Sequence, residues 1–184
     1  IVAVMLILAI DTALDACAAG VLDTSSASVI AQQSLAMKRG HAEALVPLIA
    51  QVMAQSGVDY AALDRIAVTT GPGSFTGLRV GLSAARGIGL AADKPVVGLS
   101  TLAAYAAPLV SDNTGTPIIA AIDARHDHVY YQVIAGDGTT LLRPRVAPLD
   151  EVFDALEHGA PRLVGNAAAL LAQRWPADAP PPLS

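Results

Sequence analysis

The stretch GPGSFTGLRVGLSAARGIGLA, residues 71–91, decides how this chain of 184 residues is interpreted, because six of its residues are glycine. Glycine-rich loops often bind phosphate, but a P-loop requires G-x-x-x-x-G-K-[ST] and this stretch contains no lysine. Its first three glycines also miss the G-x-G-x-x-G spacing of dinucleotide-binding loops by one residue. The backbone amides before Phe75, together with Ser74, remain a candidate anion site at a helix N-terminus.

Small residues recur at every fourth position of this stretch, at Gly73, Gly77, Gly81, Ala85 and Gly89. Residues four apart lie on adjacent turns of one helix face, so the spacing predicts a helix over 75–91 with one side almost free of side chains. Each interior glycine costs about 1 kcal/mol relative to alanine. Close packing against another backbone, with its dispersion contacts, is the compensation that we expect.

The neighbour that approaches this row is either the chain's own sheet and its helix over 42–56, or a helix of another protein. Phe75, Leu78 and Leu82 give the helix an apolar flank, while Arg79 and Arg86 make its other side mixed. A helix with two such faces is able to pack on its own sheet and on a foreign helix together. We therefore interpret the row as part of a protein–protein interface.

The composition limits the classes of function. The net charge of -5 and the pI of about 5.1 disfavour direct, unaided binding of tRNA or DNA, which needs a basic face. The single cysteine, Cys17, is expected to be a buried small hydrophobic residue and fits a reducing cytoplasm. The apolar run over 1–10 is shorter than the roughly 20 residues that span a bilayer, and Met5 is a candidate natural start after Ile1–Val4.

The pattern along the chain predicts the element order βββαβαβα up to residue 110, a first lobe over 5–110 with a mixed sheet and helices on its faces. The helix that starts at His41 is expected to end at Gly57, with Pro47 kinking it or delaying its regular part. A polar stretch from Ser111 marks the lobe boundary. A smaller lobe over 111–176 follows, with a helix over Leu149–Glu157, and then a Pro-rich tail over 177–184 that is expected to be disordered.

Several segments closely resemble the bacterial TsaB family, also called YeaZ. They are LAIDTA (8–13), HAEALVPLI (41–49), IAVTTGPGSFTGLRVGLSAARGI (66–88), KPVVGLSTLAAYA (94–106), AAIDARHDHVYY (120–131) and LVGNA (163–167). The similarity extends over about residues 5–170, and the core over 71–79 is its most specific part.

The resemblance implies an α/β chain with the actin-like, ribonuclease-H-like fold of two lobes, each with a mixed sheet flanked by helices. It implies a non-catalytic cytoplasmic scaffold in the synthesis of threonylcarbamoyladenosine in tRNA, without cofactor or metal. The catalytic partner would be TsaD, paired through a bundle of first-lobe helices, with the ATPase TsaE docking on the heterodimer and tRNA reached only indirectly. The same helices would also support a homodimer of the isolated chain.

Carried over to this sequence, the interface helices are 41–56 and 75–91. The predicted partner interface consists of His41, Glu43, Leu45, Ile49, Val52, Gly73, Ser74, Phe75, Gly77, Leu78, Gly81 and Ala85. The chain departs from the family pattern at Ala13 and Ala42, where the family usually has serine, and its second lobe is expected to be shortened.

An alternative function is that of a weak actin-like ATPase or kinase. Asp11 and Thr12 follow the first strand, where such enzymes keep a phosphate loop, and Asp123 with Arg125 stands at the matching place in the second lobe. Two carboxylates facing one another would hold hydrated Mg²⁺, although an aspartate after a strand is also a common turn residue.

Other constellations carry less weight. His126 and His128 have a spacing that suits a metal on a strand, but no third ligand pattern accompanies them and a solvated turn is preferred. His41 and Glu43 match only half of the zinc-deaminase signature. Neither Ser74 nor Ser100 lies in a G-x-S-x-G elbow, so no catalytic residue is assigned.

Overall fold

The computed structural model describes residues 4–110 and 115–183, which divide into two compact units at Ser100 and Thr101. The first unit contains five strands and two α-helices, with a short 3-10 helix over Tyr60–Ala62. Their bounds are β1 Leu6–Asp11, β2 Ala16–Asp23, β3 Ser28–Ala36, α1 His41–Ser56, β4 Arg65–Thr69, α2 Phe75–Ala92 and β5 Val96–Leu99.

The sheet of the first unit has the strand order β3-β2-β1-β4-β5. The first three strands are antiparallel, because short polar turns join them as hairpins. The pairs β1–β4 and β4–β5 are parallel, because α1 and α2 provide the crossovers that parallel strands require. The predicted order of elements and the mixed sheet are therefore confirmed for this unit.

The core of the first unit lies between one face of this sheet and the two helices. Leu8 and Ile10 alternate with exposed or half-buried residues along β1, as expected for a strand with one well-covered face. Helix α1 runs unbroken from His41 through Pro47 and ends at Gly57, whose φ of 66° confirms the predicted C-terminal cap.

The second unit has its own four-stranded sheet in the order β8-β7-β6-β9, in which only the β6–β9 pair is parallel. Its elements are α3 Thr101–Val110, β6 Ile118–Arg125, β7 His128–Ile134, β8 Thr140–Pro148, a 3-10 helix over Leu149–His158, β9 Arg162–Val164 and α4 Ala168–Gln173. Both units thus combine an antiparallel meander with parallel strands, and the predicted actin-like, ribonuclease-H-like fold class is confirmed.

The structure differs from the expectations for the second unit at its boundary and in the helix after Pro148. The unit begins at Thr101, before the boundary expected at Ser111, because α3 packs on β6 and β7; residues 111–114 themselves lie outside the described residues. The helix expected after Pro148 is a 3-10 helix, in which side chains three apart share one face. That spacing buries Leu149, Val152 and Ala155 together.

The Pro-rich segment from residue 177, expected to be disordered, makes defined hydrogen bonds within the second unit. The indole nitrogen of Trp175 donates to the carbonyl oxygen of Pro180 at 3.0 Å. The amide of Leu183 donates to the carbonyl oxygen of Pro161 at 2.9 Å. Over residues 4–110 and 115–183, no helix combines the length and the apolar character that crossing a membrane would take.

Candidate functional site

The row of small residues on α2 faces the sheet of its own unit. A Cβ at Gly73 would overlap the carbonyl oxygen of Ala13, and a Cβ at Gly77 would overlap that of Thr12. At Gly81 it would lie 2.5 Å from the hydroxyl oxygen of Thr12. Ala85, in the same row, is completely buried. The row therefore lets α2 approach the end of β1 closely, and the assignment of Gly73, Gly77, Gly81 and Ala85 to a partner interface is corrected.

Helix α1 also buries residues that were assigned to the partner interface. Leu45, Ile49 and Val52 belong to the hydrophobic core of the first unit and are fully or almost fully buried. Their periodicity marks the face that packs on the chain's own sheet. A partner is able to reach only the opposite, outward faces of α1 and α2.

Those outward faces form an open groove of about 470 Å³ between the N-terminal halves of α1 and α2. Its lining is almost entirely apolar or small: Ala42, Leu45, Val46, Phe75, Thr76, Arg79, Val80, Ser83 and Ala84. Two large side chains stand out toward solvent, since Phe75 is 69% exposed and Val46 is 64% exposed. Exposed apolar surface of this kind marks interaction sites on proteins.

The outward face of α1, which contributes Ala42 and Val46 to the groove, carries a second row of small and apolar residues with a spacing of four. Ala42, Val46, Ala50 and Ala54 are all exposed, and residues four apart lie on adjacent turns of one face. The spacing of four is visible in the sequence, but it does not show which face of α1 is exposed. Ala42, Val46, Thr76, Arg79, Val80, Ser83 and Ala84 are thus candidate interface residues that the sequence analysis did not assign.

Two of the assigned interface residues, Leu45 and Phe75, line the groove, and of these only Phe75 is exposed. The guanidinium carbon of Arg79 lies 3.7 Å from the centre of the Phe75 ring, a cation–π contact on the outer face of α2. This contact holds the aromatic ring at the rim of the groove. Leu78, one helical turn after Phe75, is half-buried and lies beside Gly71.

The remaining assigned residues at the starts of the two helices have structural partners. His41 is buried, and its Nε2 lies 3.2 Å from the carbonyl oxygen of Leu14. Ser74 is the N-cap of α2: its hydroxyl accepts from the amide of Gly77 at 3.3 Å. Glu43 lies exposed in the first turn of α1, where the negative charge of a carboxylate interacts favourably with the helix dipole.

At the carboxyl end of β1, Asp11 is held by two donors. Its Oδ1 accepts from the Thr69 hydroxyl at 2.7 Å and from the Ala13 amide at 2.9 Å. The carboxyl ends of adjacent parallel strands are where open α/β sheets bind ligands. Thr12, named above as a nucleotide contact, is instead buried, and its hydroxyl donates to the carbonyl oxygen of Gly77 at 2.7 Å.

The matching place in the second unit is a tight turn between β6 and β7. Oδ1 of Asp123 accepts from the amide of Arg125 at 2.7 Å. The amide of Asp123 donates to Oδ1 of Asn166 at 2.9 Å, and this side chain was not predicted to take part. Arg125, His126 and Asp127 are exposed and all have positive φ values. His126 and His128 lie in or beside a solvated turn, and no cluster of potential metal ligands occurs in the described parts of the chain.

Cys17 lies in the core of the first unit, as the sequence predicts, and is completely buried. Burial, with a smaller contribution from the negative charge of Asp11, raises the pKa of its thiol above the ordinary value. The thiol is therefore protonated at neutral pH, the form that a packing residue takes.

Comparison with known proteins identifies related chains. The family model described as "TsaD: tRNA N6-adenosine threonylcarbamoyltransferase" matches residues 28–174. The tRNA threonylcarbamoyladenosine biosynthesis protein TsaB of Escherichia coli K12 is 38% identical over 69% of this chain and 54% of its own length. The uncharacterized protein Rv3421c of Mycobacterium tuberculosis H37Rv is 33% identical over 96% of this chain and 88% of its own length.

Among solved structures, YeaZ from Pseudomonas aeruginosa superposes with a TM-score of 0.81 at 27% sequence identity. The match covers 98% of this chain and 84% of that one. The chain spans about half the length of the TsaB proteins that it matches, 54% in E. coli and 53% in Haemophilus influenzae.

Proposed function

Because the chain belongs to the family of the matched TsaD model, and within it to the TsaB (YeaZ) family, we propose that it takes part in making threonylcarbamoyladenosine in tRNA. Its role there is that of a scaffold subunit that performs no chemistry itself. The activity belongs to a TsaD-type transferase that this chain holds in a heterodimer. A TsaE-like ATPase docks on that pair.

The observation that carries this proposal is the exposed groove between α1 and α2. The side chains of Phe75 and Val46 are exposed to solvent at its walls, although burying their apolar surface would be favourable in free energy. An outward helical surface with small residues on α1 and an apolar anchor on α2 accepts another helix pair. The acidic chain reaches tRNA only through its partner, because a net charge of -5 repels the phosphate backbone.

The proposal is tested by binding to the TsaD-type protein of the same organism. Val46→Asp replaces an apolar side chain of the groove by a charge that the partner would have to bury, and we expect it to lower the affinity at least tenfold in isothermal titration calorimetry. The matched control is Gln51→Asp, which adds the same charge to an exposed part of α1 outside the groove lining. Urea unfolding verifies that both variants are folded.

Three results would count against the proposal. Equal binding by Val46→Asp and Gln51→Asp removes the groove as the docking site. Absence of any complex with the wild-type chain removes the scaffold role. Transfer of a threonylcarbamoyl group to tRNA by the chain alone makes it an enzyme.

A second function, weak nucleotide binding, is favoured by the geometry of Asp11. Its carboxylate is half-exposed, and Thr69 with the Ala13 amide fixes it at the carboxyl end of adjacent parallel strands. Calorimetry with ATP and Mg²⁺ tests this function on the wild-type chain and on Asp11→Ala. The exposed Asp15→Ala is the control. Binding that is lost only in Asp11→Ala supports it, and an absence of wild-type binding overturns it.

A further inference from the structure

Gly87 has no packing role within its own unit. It lies in the interior of α2, exposed, and a Cβ built at this position meets nothing within 4 Å. By contrast, the other α2 glycines, Gly77, Gly81 and Gly89, are buried, and a Cβ at each would come within 2.6 Å of a neighbouring atom. Glycine is the least favourable helix residue after proline, so nothing in the described residues explains its presence at position 87.

Gly87 is placed where a partner helix would pass. It lies one turn beyond Ser83, which lines the groove, and residues four apart share one helix face. Leu90 follows on the outer surface of α2 and is 87% exposed. A position without Cβ on an outward helix face lets a second backbone approach closely and make contacts that a side chain would block.

The charges on the two helices indicate what kind of partner fits. Arg79 and Arg86 are exposed on α2, seven residues apart, and neither forms an ion pair within residues 4–110 and 115–183. Glu43 is the only acidic residue within α1 and α2. A second copy of this chain would bring the same arginines to the shared interface, and like charges facing each other oppose association.

We propose that the groove is occupied by a helix of a different protein, which crosses α2 at Gly87 with close backbone contact and presents carboxylates to Arg79 and Arg86. This inference rests on the proposed function and adds to it the chemistry of the partner surface. The partner helix is apolar along its centre, has a small residue opposite Gly87 and is acidic at its rim. Such an arrangement matches the apolar core and polar rim of specific interfaces.

The steric part is tested with Gly87→Ala, measured against the TsaD-type protein of the same organism. The added methyl group improves helix propensity, so the variant is expected to unfold at a higher urea concentration than the wild type. The same methyl group obstructs the partner helix, and we expect the affinity to fall at least tenfold. A merely structural glycine would not raise stability and weaken binding in one variant. Unchanged affinity overturns the close approach at Gly87.

The electrostatic part is tested with the double variant Arg79→Glu and Arg86→Glu. We expect at least a tenfold loss of affinity at low salt. The difference in affinity between the wild type and this variant should shrink as salt is raised, because salt screens the charges. The control double variant is Arg143→Glu and Arg145→Glu, which makes the same charge change on exposed residues of β8. Equal affinities of the two double variants overturn the acidic partner.

The outcomes separate this inference from the function on which it rests. If the wild-type chain binds no TsaD-type protein, both fail. If Val46→Asp abolishes binding while Gly87→Ala and the arginine variants bind normally, only this inference is wrong. If, in the presence of the TsaD-type protein, the wild type sediments only as a homodimer that Gly87→Ala disrupts, a second copy fills the groove and the different, acidic partner is refuted.

Discussion

The hydroxyl group of Thr12 donates a hydrogen bond of 2.7 Å to the carbonyl oxygen of Gly77, 65 residues further along the chain. The backbone carbonyl of Thr12 in turn occupies the space that a Cβ at Gly77 would need. These two contacts join the end of β1 to the first turn of α2. The outward face of α2, and with it the groove, takes its orientation from this junction.

Substitution of the buried α2 glycines is expected to destabilise the first unit. Gly77→Ala and Gly81→Ala each force a methyl group against Thr12, and such overpacking typically costs about 1–3 kcal/mol. Gly87→Ala is the matched control: it is exposed and unobstructed, and should stabilise by up to about 1 kcal/mol. Urea unfolding measures all three. Equal effects at positions 77 and 87 would mean that α2 does not pack as described.

Removal of the Thr12 hydroxyl is expected to destabilise the chain even though the side-chain volume is kept. Thr12→Val removes the side-chain donor to the carbonyl oxygen of Gly77, which keeps its helical backbone donor, a loss of about 0.5–1.5 kcal/mol. Thr76→Val, on the exposed side of the same helix turn, should stay within about 0.5 kcal/mol of the wild type. A chemical denaturation series compares the two, and a harmless Thr12→Val would contradict the assigned bond.

Cys17 is expected to make the stability fall at alkaline pH. Because burial raises the pKa of its thiol in the folded state, the unfolded chain ionises first as the pH rises through the ordinary value of 9.0. Above that pH the folded state binds more protons, so the free energy of unfolding decreases, whereas below it the contribution is fully present. Cys17→Ala should lose this alkaline decrease.

Thiol chemistry provides an independent check of the same residue. The only cysteine of the chain is fully buried, so a thiol reagent at pH 8 should react with it far more slowly in the folded protein than in urea. Rapid labelling of the folded chain would show that Cys17 is accessible.

The turn between β6 and β7 is expected to respond to the left-handed preference of residue 126. His126 has a φ of 53°, a region that costs most non-glycine residues roughly 1–2 kcal/mol and that asparagine tolerates better. His126→Asn should therefore be more stable than His126→Ala, with the wild type between them or near Asn. Thermal unfolding ranks the three chains, and the reverse order would contradict the turn geometry.

The hydrophobic periodicity of the sequence and its turn and capping residues predict most of the first unit correctly. The run of apolar residues in LILAID and the short polar turns indicate β1–β3, and Gly57 ends α1 where a left-handed glycine is expected. These features depend on neighbours along the chain. The 3-10 helix after Pro148 was predicted as an ordinary helix. Over ten residues, the apolar spacing of three in a 3-10 helix is hard to distinguish from the spacing of three to four in an α-helix.

Most of the residues predicted for the interface on α1 and α2 lie on the faces that pack within the chain's own unit. Leu45 and Ile49 repeat with helical spacing whether they face their own sheet or a partner, so the pattern alone does not separate the two. The same holds for Gly77 and Gly81. The exposed Ala42 and Val46 became recognisable as a surface only when the other side of α1 was known to be covered.

The amino-acid order was enough to establish the class of fold, the extent of α1 and α2 and the presence of a side-chain-free strip on α2. The tertiary structure decides which way that strip points, because residues 12 and 77, which are 65 positions apart, make the contact that orients it. Local propensity extends over a few residues, whereas the direction of a helix face depends on long-range packing. For this reason the glycines of the strip face the chain's own sheet. The spacing of the residues that form the groove does not by itself show that they face solvent.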